Sequence, residues 1–585
     1  MIKKEKILKI LGWAAFAVSA SAFFLPVVNP DIFWHLSAGK YAAEHLAPPR
    51  FDFLSWPSAG KEWVDFEWGA QLLYYLAWKA GGFKALLVFK GLLLCLVLAV
   101  FRGLALLYGR AALLPLVLPL LAAALAGASD LRPENFSLLF FALTLYGLEK
   151  LRLKELVPGR KLLFLSFLFF ALWINLDPGC FYGLALIGLY AAGEFFSERL
   201  SFLRGGKTER PLLSLEYLKL FLLGLAATLV NPYGPELYPV IAAHGLRSPV
   251  PGGHLGVWAA STFGNPHFWP YLLLLAGVSS GLLLFFLRRR HAVYPHLAGL
   301  LFFIWASAGY SGNIPFFVIS GLAFALALPW ELPHFSRRDP LFVVGAACGA
   351  CLVLWFYASF IWPHYTGKAP VFRASSGNLA RFLKANKKEL SGLRLYNHGD
   401  WGGWLGWELA PAYKVFMDGR YLFKEKAGEL AADSRGYRRW SGLIDKYKFD
   451  LMLITLNEPL IPITQRLADG RVELFWRPAY LFYLPKKDWA VVYWDYRVAA
   501  LVRRSAVPAA WVAAREYLYL RPTDVPNLAS PVLAGEIPLS GLDRELALYL
   551  GSHPGGKEAP SNTSLVNFCR LLKEACAKKG AKCLL

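Results

Sequence analysis

The feature that most constrains the fold is a series of long apolar segments separated by short polar loops. About 20 apolar residues in a helix span the hydrocarbon core of a bilayer, and a helix satisfies its own backbone hydrogen bonds there. A hydrophobic fraction of 56% is more than a soluble chain of 585 residues would bury. We therefore predict a polytopic α-helical membrane protein with about eleven transmembrane helices. They cover residues 7–28, 84–107, 111–128, 134–150, 161–175, 179–197, 215–231, 268–287, 291–309, 313–330 and 340–362.

Lysine and arginine are distributed unevenly among the loops. If the basic start "MIKKEKILK" lies in the cytoplasm, the later loops on that side include "EKLRLKELVPGRK", "SERLSFLRGGKTER" and "LRRRH". The opposite loops after residue 84 are nearly free of basic residues, with Arg132 and Arg247 as exceptions. This bias predicts a cytoplasmic N-terminus and a C-terminal portion outside the cytoplasm. In a bacterium, the chain would be a multi-pass protein of the inner (cytoplasmic) membrane with a periplasmic or extracellular C-terminal domain.

The net charge of +22 would also be compatible with nucleic-acid binding. We exclude nucleic acid as a partner because the basic residues cluster in these short loops, where they set membrane orientation. The lipid bilayer, and anionic lipid in particular, is the expected partner.

The chain changes character beyond the last apolar segment. Residues 1–362 form the predicted transmembrane domain, with a first external loop at 29–83 that includes amphipathic helices. In residues 363–504, short apolar stretches such as "YKVFMDG" and "FDLMLITL" alternate with helical patterns, which predicts an extracytoplasmic α/β domain with a mainly parallel sheet. Residues 505–585 form a helical or partly flexible tail. There, Cys569, Cys576 and Cys583 recur every seven residues, which predicts a packing stripe rather than a disulfide.

Unusual polar residues gather at the external ends of the apolar segments. Each also has a structural explanation: aspartate can cap a helix, "NPYG" is a plausible turn, and tryptophan anchors membrane interfaces. Their convergence on one side nevertheless predicts a functional cavity. The candidates are Asp31, His35, Asp65, Glu67, Arg132, Glu134, Asn175, Asp177, Asn231, Tyr233, Tyr310 and Asn313.

The candidate residues suggest chemistry on a phosphate. Arg132 stands out because the positive-inside bias works against it, and the arginine fork suits an anionic phosphate. A nearby carboxylate could act as a general base on an acceptor hydroxyl or amine. The acceptor would then attack the anomeric carbon of a sugar linked to a lipid phosphate. No nucleotide would be needed, and the chain has no Walker A motif.

Several motifs resemble a bacterial family of the glycosyltransferase C superfamily, the lipid-phosphate-sugar-dependent membrane enzymes that include protein O-mannosyltransferases and oligosaccharyltransferases. Asp31, His35 and Gly39 match a D-x-W-x-H-x-x-x-G pattern, with Phe33 in place of the usual Trp. "WVDFEW" is similar to the family's "WVDHEW", and "LRPENFSLLFFAL" to its "RPQLFSLLFFAL". The stretch "NHGDWGGWLGWELAPAYKVFMDGR" is similar to its "WGGYLIW…VFIDGR".

The resemblance implies a membrane glycosyltransferase that uses a polyprenyl-phosphate-linked sugar and an unknown extracytoplasmic acceptor. It implies that Asp31 is the catalytic base and that Asp65 and Glu67 form the acidic pair of the first loop. In some members this pair binds a divalent cation, so Asp31, Asp65 and Glu67 are candidate ligands for Mg or Mn. We expect Arg132 to bind the donor phosphate and His35 to orient Asp31 or contact the donor.

The chain departs from the family pattern at two positions. Asp177 in "NLDPG" replaces an expected His, and "GYSGNIP" lacks the arginines of an expected R-x-x-R-N-I-P. If those arginines bind the donor phosphate in relatives, donor recognition in this chain is altered or activity is lost.

Other interpretations remain open at this stage. Asp418 and Arg420 are ligand candidates of the C-terminal domain, because open α/β sheets bind ligands at strand ends, although a structural ion pair would explain them too. The chain could instead be an oligosaccharide ligase that uses a diphosphate carrier. It could also be a non-catalytic transporter, flippase or assembly scaffold for lipid-linked saccharides.

Overall fold

The structure is a computed structural model. It describes residues 2–127, 129–203, 212–246, 272, 275–277, 294–309, 311–327, 354–355, 357–365, 377–433, 437–457, 459–553 and 560–578. Six features of the sequence lie wholly or largely outside these ranges: the apolar segments 268–287 and 340–362, the external loop at 232–267, Arg247, Tyr310 and Cys583.

The N-terminal part of the chain is helical. Its helices are α1 (Ile2–Ser21), α2 (Ile32–His45), α3 (Trp68–Leu107), α4 (Leu114–Ala126), α5 (Glu134–Arg152), α6 (Arg160–Ile174), α7 (Cys180–Leu203), α8 (Leu213–Ala227), α9 (Leu237–Leu246), α10 (Tyr294–Gly309) and α11 (Ile314–Ala327). Among the described residues, only Trp68–Leu107 and Cys180–Leu203 are both long and apolar enough to cross a membrane unaided; the helices at Lys9–Ser21, Ala111–Ala126 and Ile314–Ala327 are shorter and apolar. The number of crossings therefore remains a prediction.

The first loop contains the two helical stretches that its amphipathic pattern predicts. The first is α2, and the second is the beginning of α3. Gly81 and Gly82 interrupt α3, and Gly82 has a φ of 62°, a conformation that glycine adopts without strain. The kink separates the loop helix from the long apolar helix that follows it.

Close backbone contacts fix this loop against its neighbours. A Cβ atom at Gly39 of α2 would lie 2.1 Å from the carbonyl oxygen of Gln71 in α3. A Cβ atom at Gly69 would lie 2.5 Å from the carbonyl oxygen of Asn175, which accepts a hydrogen bond from the Gly69 N–H at 3.0 Å. Only glycine permits approaches this close, so the first loop packs directly against α3 and the turn after α6.

A buried polar cluster ties several helices together at the end of α5 that is remote from Asp31. Glu149 lies 2.7 Å from the Nε2 atom of His296 in α10 and accepts hydrogen bonds from the hydroxyls of Tyr108 and Tyr190. The carboxylate of Glu149 is fully buried and well supplied with donors, as a buried charge must be.

The C-terminal part combines short helices with two sheets. Its helices are α12 (Trp362–Tyr365), α13 (Gly377–Ala385), α14 (Lys387–Leu390), α15 (Gly399–Leu409), α16 (Lys424–Asp433), α17 (Tyr437–Tyr447), α18 (Tyr480–Tyr483), α19 (Ala509–Arg515), α20 (Ala529–Leu533), α21 (Leu539–Ser552) and α22 (Pro560–Lys578). Its strands are β1 (Leu395–Tyr396), β2 (Leu451–Thr455), β3 (Leu460–Arg466), β4 (Val472–Pro478), β5 (Trp489–Trp494) and β6 (Val498–Arg503).

The main sheet has the strand order β1-β2-β6-β5, and β3 and β4 form a separate hairpin. Only β1 and β2 are parallel; β6 is antiparallel to both β2 and β5. The predicted mainly parallel sheet is therefore wrong. The apolar run "FDLMLITL" does form a fully buried strand, but the β5–β6 hairpin covers the flank where a parallel strand was expected.

A second correction concerns "YKVFMDG", which is not a regular strand. Val415 instead forms an isolated parallel bridge with Ser55 of the first loop. Its N–H donates to the Leu54 carbonyl at 3.1 Å, and its carbonyl accepts from the Trp56 N–H at 3.0 Å. The backbone of this apolar run is thus satisfied by a segment some 360 residues away in sequence.

The tail is helical as predicted, but the interpretation of its cysteines is only partly right. Cys569 is a buried free thiol in α22, consistent with packing. Cys576 is disulfide-bonded. The prediction that these cysteines only pack is therefore wrong for Cys576.

We expect Gly39→Ala to destabilise the protein by about 1–3 kcal/mol, because the added methyl group would overlap the Gln71 carbonyl in a closely packed contact. Thermal unfolding in detergent measures the effect. Gly147→Ala in α5 is the matched control, since among the described residues no atom lies within 4 Å of the added Cβ. Equal unfolding temperatures for the two variants would contradict the close α2–α3 contact.

Candidate active site

Asp31 lies at the junction between the first apolar helix and α2. Its N–H is held by the side-chain oxygen of Asn29 at 3.1 Å, and its carbonyl accepts the first hydrogen bond of α2 from the His35 N–H. Among the described residues, the Asp31 carboxylate makes no capping hydrogen bond to the helix. The simple explanation of Asp31 as a helix cap therefore does not account for its side chain.

The C-terminal part of the chain covers Asp31 directly. A Cβ atom at Gly419 would lie 2.0 Å from Oδ1 of Asp31 and 3.3 Å from Nε1 of Trp34. A Cβ atom at Gly403 of α15 would lie 3.2 Å from the backbone nitrogen of Trp34. Two glycines of the C-terminal part thus allow its backbone to form one wall around the carboxylate.

Burial and nearby charges act in opposite directions on Asp31. Burial raises the pKa of its carboxyl group, the positive charge of Arg132 lowers it, and the negative charges of Asp418 and Glu134 raise it again. Burial and two carboxylates thus oppose ionisation of Asp31, whereas the charge of Arg132 favours it.

The side chains of His35 and Glu67 lie close to each other. The Nδ1 atom of His35 lies 3.9 Å from Oε2 of Glu67, and His35 stacks closely on Trp34, with ring centroids 3.7 Å apart. Burial and the charge of Arg132 lower the pKa of His35 to about 3. Nδ1 of His35 is buried and has no hydrogen-bond partner within the described part of the chain. A neutral imidazole with one unsatisfied nitrogen is thus available to a ligand.

Burial raises the pKa of both Asp65 and Glu67. Oδ1 of Asp65 accepts a hydrogen bond from the Gln71 amide at 2.7 Å, whereas its buried Oδ2 has no partner in the described ranges. Burial raises the pKa of Asp65 to about 7. Burial also raises the pKa of Glu67, and the charges of Glu134, Asp177, Asp65 and Asp31 raise it further.

The turn between α4 and α5 provides the opposite wall. The Asp130 carboxylate accepts hydrogen bonds from the N–H groups of Val28 and Leu131, so it anchors the end of the first apolar segment. Arg132 is half-buried and Glu134 is exposed at the start of α5. Both charges act on Asp31: that of Arg132 lowers the pKa of Asp31, and that of Glu134 raises it.

Asp177 lies between α6 and α7. Its buried carboxylate accepts hydrogen bonds from the Ser137 hydroxyl and, at 2.8 Å, from the Gly179 N–H, and Trp173 in turn donates to Ser137. Burial, together with the charge of Glu134, raises the pKa of Asp177 to about 7. This carboxyl group belongs electrostatically to the acidic pocket, which we define as Asp31, Asp65, Glu67, Glu134 and Asp177.

Four other predicted residues have protein partners that explain their side chains. Asn175 accepts a hydrogen bond from Nε1 of Trp68 at 2.9 Å and donates to the Val230 carbonyl, which joins the first loop to α8. Asn231 stabilises its own turn by accepting from the Tyr233 N–H, and the Tyr233 hydroxyl donates to the Pro49 carbonyl. Asn313 accepts from the Tyr182 hydroxyl at 2.6 Å. These residues support the pocket from outside.

Asp418 and Arg420 form a buried ion pair. Arg420 donates to both carboxylate oxygens of Asp418 and, at 2.9 Å, to Oδ1 of Asp52 in the first loop. All three side chains are fully buried, and the guanidinium lies over the ring of Trp63, 4.5 Å from its centroid. We call Asp52, Asp418 and Arg420 the Arg420 clamp. Nη1 of Arg420 is buried and has no hydrogen-bond partner in the described part of the chain. The ligand role of Asp418 and Arg420 therefore stays a prediction beside their structural role.

The acidic residues do not fit a divalent cation. Magnesium and manganese need several oxygen ligands converging on one point. Within the described part of the chain, no three His, Cys, Asp or Glu side chains are arranged to hold a metal. The charges of Asp31, Asp65 and Glu67 influence one another, but among the described residues these three do not form such a group.

Sequence reasoning missed three contributors to this site. Asp52 completes the Arg420 clamp, Gln71 holds Asp65, and Ser137 holds Asp177. Asp52 and Gln71 lie in the first loop, and a search for every polar residue of that loop would have found them. Ser137 lies three residues after Glu134 on a helical pattern, which gives no comparable signal.

We expect Arg420→Gln to destabilise the protein by about 3–5 kcal/mol, because Asp418 and Asp52 would then be buried without their cation. Arg394→Gln is the matched control: its ion pair with Asp450 is largely exposed and is expected to contribute about 0–1 kcal/mol. Thermal unfolding of both purified variants provides the comparison. Similar losses in the two variants would contradict the clamp.

Comparison with known sequences gives no match: no family model matches the chain, and no curated protein does. Comparison with solved structures gives several. The oligosaccharyltransferase AglB from Archaeoglobus fulgidus, solved with an inhibitory peptide and a dolichol-phosphate, has a TM-score of 0.56 at 11% identity and covers 98% of this chain and 87% of its own.

Two further structures are similar. The apo form of the Archaeoglobus fulgidus oligosaccharyltransferase has a TM-score of 0.51 at 11% identity, over 79% of this chain and 74% of its own. ArnT from Cupriavidus metallidurans bound to undecaprenyl phosphate has a TM-score of 0.47 at 14% identity. The match covers 86% of this chain and 99% of the ArnT chain. The two Archaeoglobus fulgidus structures, with TM-scores above 0.5, show that this chain shares their overall fold.

Proposed function

We propose that the protein is a membrane glycosyltransferase that moves a sugar from a polyprenyl-phosphate donor to an extracytoplasmic acceptor, with Asp31 as the general base. The observation that carries the proposal is the position of Asp31. Its carboxylate does not cap its helix, is enclosed by Gly419, and senses the charge of Arg132. A fold shared with AglB supports a lipid-linked donor, since that protein was solved with a dolichol-phosphate.

The proposed reaction needs a base on one side of the sugar and a cation on the other. Asp31 removes the proton from the acceptor hydroxyl or amine, and the acceptor oxygen or nitrogen forms a bond to the anomeric carbon. The bond between that carbon and the phosphate oxygen breaks, and its electrons remain on the lipid phosphate. Arg132 stabilises the charge that develops there. The proton stays on Asp31 until solvent removes it.

The surrounding groups have supporting roles in this proposal. His35 is neutral, so its unsatisfied Nδ1 can exchange a hydrogen bond with a sugar hydroxyl without adding charge. The charges of Asp418 and Glu134 raise the pKa of Asp31, which strengthens it as a base once it is ionised. Glu134 is exposed and available to an acceptor that enters from outside.

The proposed location is the bacterial inner membrane, with the N-terminus in the cytoplasm and the C-terminal domain in the periplasm or outside the cell. The domain limits proposed are 1–362, 363–504 and 505–585. The charge bias of the loops supports this topology. The disulfide at Cys576 supports it independently, because disulfides persist in oxidising compartments and are rare in the cytoplasm.

The second candidate is an oligosaccharide ligase that uses a diphosphate carrier. It is favoured by the similarity to AglB, an oligosaccharyltransferase, over nearly the whole chain. A transporter or flippase is less well supported, because the ionisable groups of the pocket gather where helices end, whereas transporters bind near the bilayer midplane.

Asp31→Asn is expected to abolish sugar transfer while the protein still folds, because the amide cannot accept the acceptor proton. The test is mass spectrometry of cell-envelope glycans from a deletion strain complemented with wild type or with the variant. Asp400→Asn, at an exposed position of α15, is the control and should restore the wild-type glycans. If Asp31→Asn restores them as well, Asp31 is not the base.

Arg132→Gln is expected to move the acid limb of the pH–rate profile to higher pH. The positive charge of Arg132 lowers the pKa of Asp31, and the base is active only above that pKa. Without Arg132, a higher pH is needed to ionise Asp31. Transfer is measured in proteoliposomes with lipid extract of the deletion strain as the donor source, and Arg132→Lys should keep the wild-type limb. An unchanged acid limb in Arg132→Gln would contradict the effect of Arg132 on the pKa of Asp31.

A further inference from the structure

A membrane-facing groove of about 200 Å³ lies between α5, α6, α7 and α8, at the end of α5 remote from Asp31. Its lining is almost entirely apolar and includes Leu143, Gly147, Leu151, Leu162, Leu165 and Phe169. The groove is distinct from the acidic pocket, because none of its lining residues belongs to that pocket.

The groove exists because the facing helices leave space at this end. Gly147 of α5 presents no side chain, and within the described ranges no atom would lie within 4 Å of a Cβ atom placed there. Leu165 is 50% exposed and its neighbour Phe164 is 62% exposed, so the groove opens on an exposed apolar surface. From Leu143 to Leu151 it follows α5 for roughly 12 Å, a length and width that suit a single hydrocarbon chain.

The loop that closes this end is strongly basic. Residues 150–161, "KLRLKELVPGRK", contain five basic residues and one acidic residue. Arg152 is committed to an ion pair with Glu194 at 2.8 Å. Lys154, Arg160 and Lys161 are exposed, and each lies within two residues in sequence of Leu156 or Leu162, which line the groove. A hydrocarbon chain seated in the groove would therefore have its polar end next to several cations.

We propose that this groove is a specific site for an anionic phospholipid, with one acyl chain between α5 and α6 and the phosphate beside Arg160 and Lys161. The apolar lining selects a hydrocarbon chain, and the adjacent charges select an anionic headgroup over a zwitterionic one. The donor lipid is a different ligand, since its phosphate must reach Asp31 at the other end of the helices. The site goes beyond glycosyl transfer and would anchor the α5–α6 corner in one leaflet.

The test uses the full chain in nanodiscs made of equal parts of phosphatidylglycerol and phosphatidylcholine. After release into mild detergent, native mass spectrometry counts the lipids that remain bound. Wild type is expected to retain phosphatidylglycerol preferentially. Gly147→Phe should lose it, because the ring fills the groove. Leu222→Phe, on the exposed face of α8, is the control and should retain it.

A second variant covers the case in which Gly147→Phe fails to fold. Arg160→Gln combined with Lys161→Gln changes only exposed side chains, and removal of two charges should lower the retention of phosphatidylglycerol roughly 30-fold. Equal retention of both lipids by wild type would overturn the proposal. Displacement of the bound lipid by added undecaprenyl phosphate would also overturn it, because the groove would then hold the tail of a polyprenyl lipid.

Discussion

The ion pair of Arg420 with Asp418 and Asp52 is the interaction on which the rest of the site depends. It is fully buried, and it joins the C-terminal part of the chain to the first loop. Removal of one partner from a buried ion pair leaves an uncompensated charge, so such a contact holds its two elements in one arrangement. Because Gly419 lies between the two charged residues, the clamp also fixes the backbone that covers Asp31.

In the proposed reaction, this arrangement lets the Asp31 carboxylate act as the base. Three chain segments remote in sequence enclose Asp31: its own loop, the turn that bears Arg132, and the Asp418–Arg420 segment. Enclosure removes water, and the neighbouring carboxylates oppose ionisation. One arginine offsets this effect at Asp31. The chain lacks the two arginines expected before Asn313, so Arg132 is the cation on which the proposed donor recognition rests.

The sequence was sufficient for features that depend on local pattern. Apolar runs predicted the described helices, and family motifs predicted that Asp31, Glu67 and Arg132 belong together. The orientation that the charge bias indicates stays a prediction. It was insufficient where a distant segment provides the partner. Val415 pairs with Ser55 instead of a sheet neighbour, and Asp52 completes the Arg420 clamp from the first loop. Neither contact produces a periodic pattern in the sequence. Both contacts determine which polar groups are already paired within the protein.

The central claim is that a lipid phosphate binds beside Arg132 within reach of Asp31. Its most direct test is cryo-electron microscopy of the full chain in nanodiscs with added undecaprenyl phosphate. The account predicts phosphate density at Arg132 and a continuous path for the tail from the acidic pocket to the bilayer. Density for the phosphate elsewhere, with the acidic pocket closed to the membrane, would contradict it.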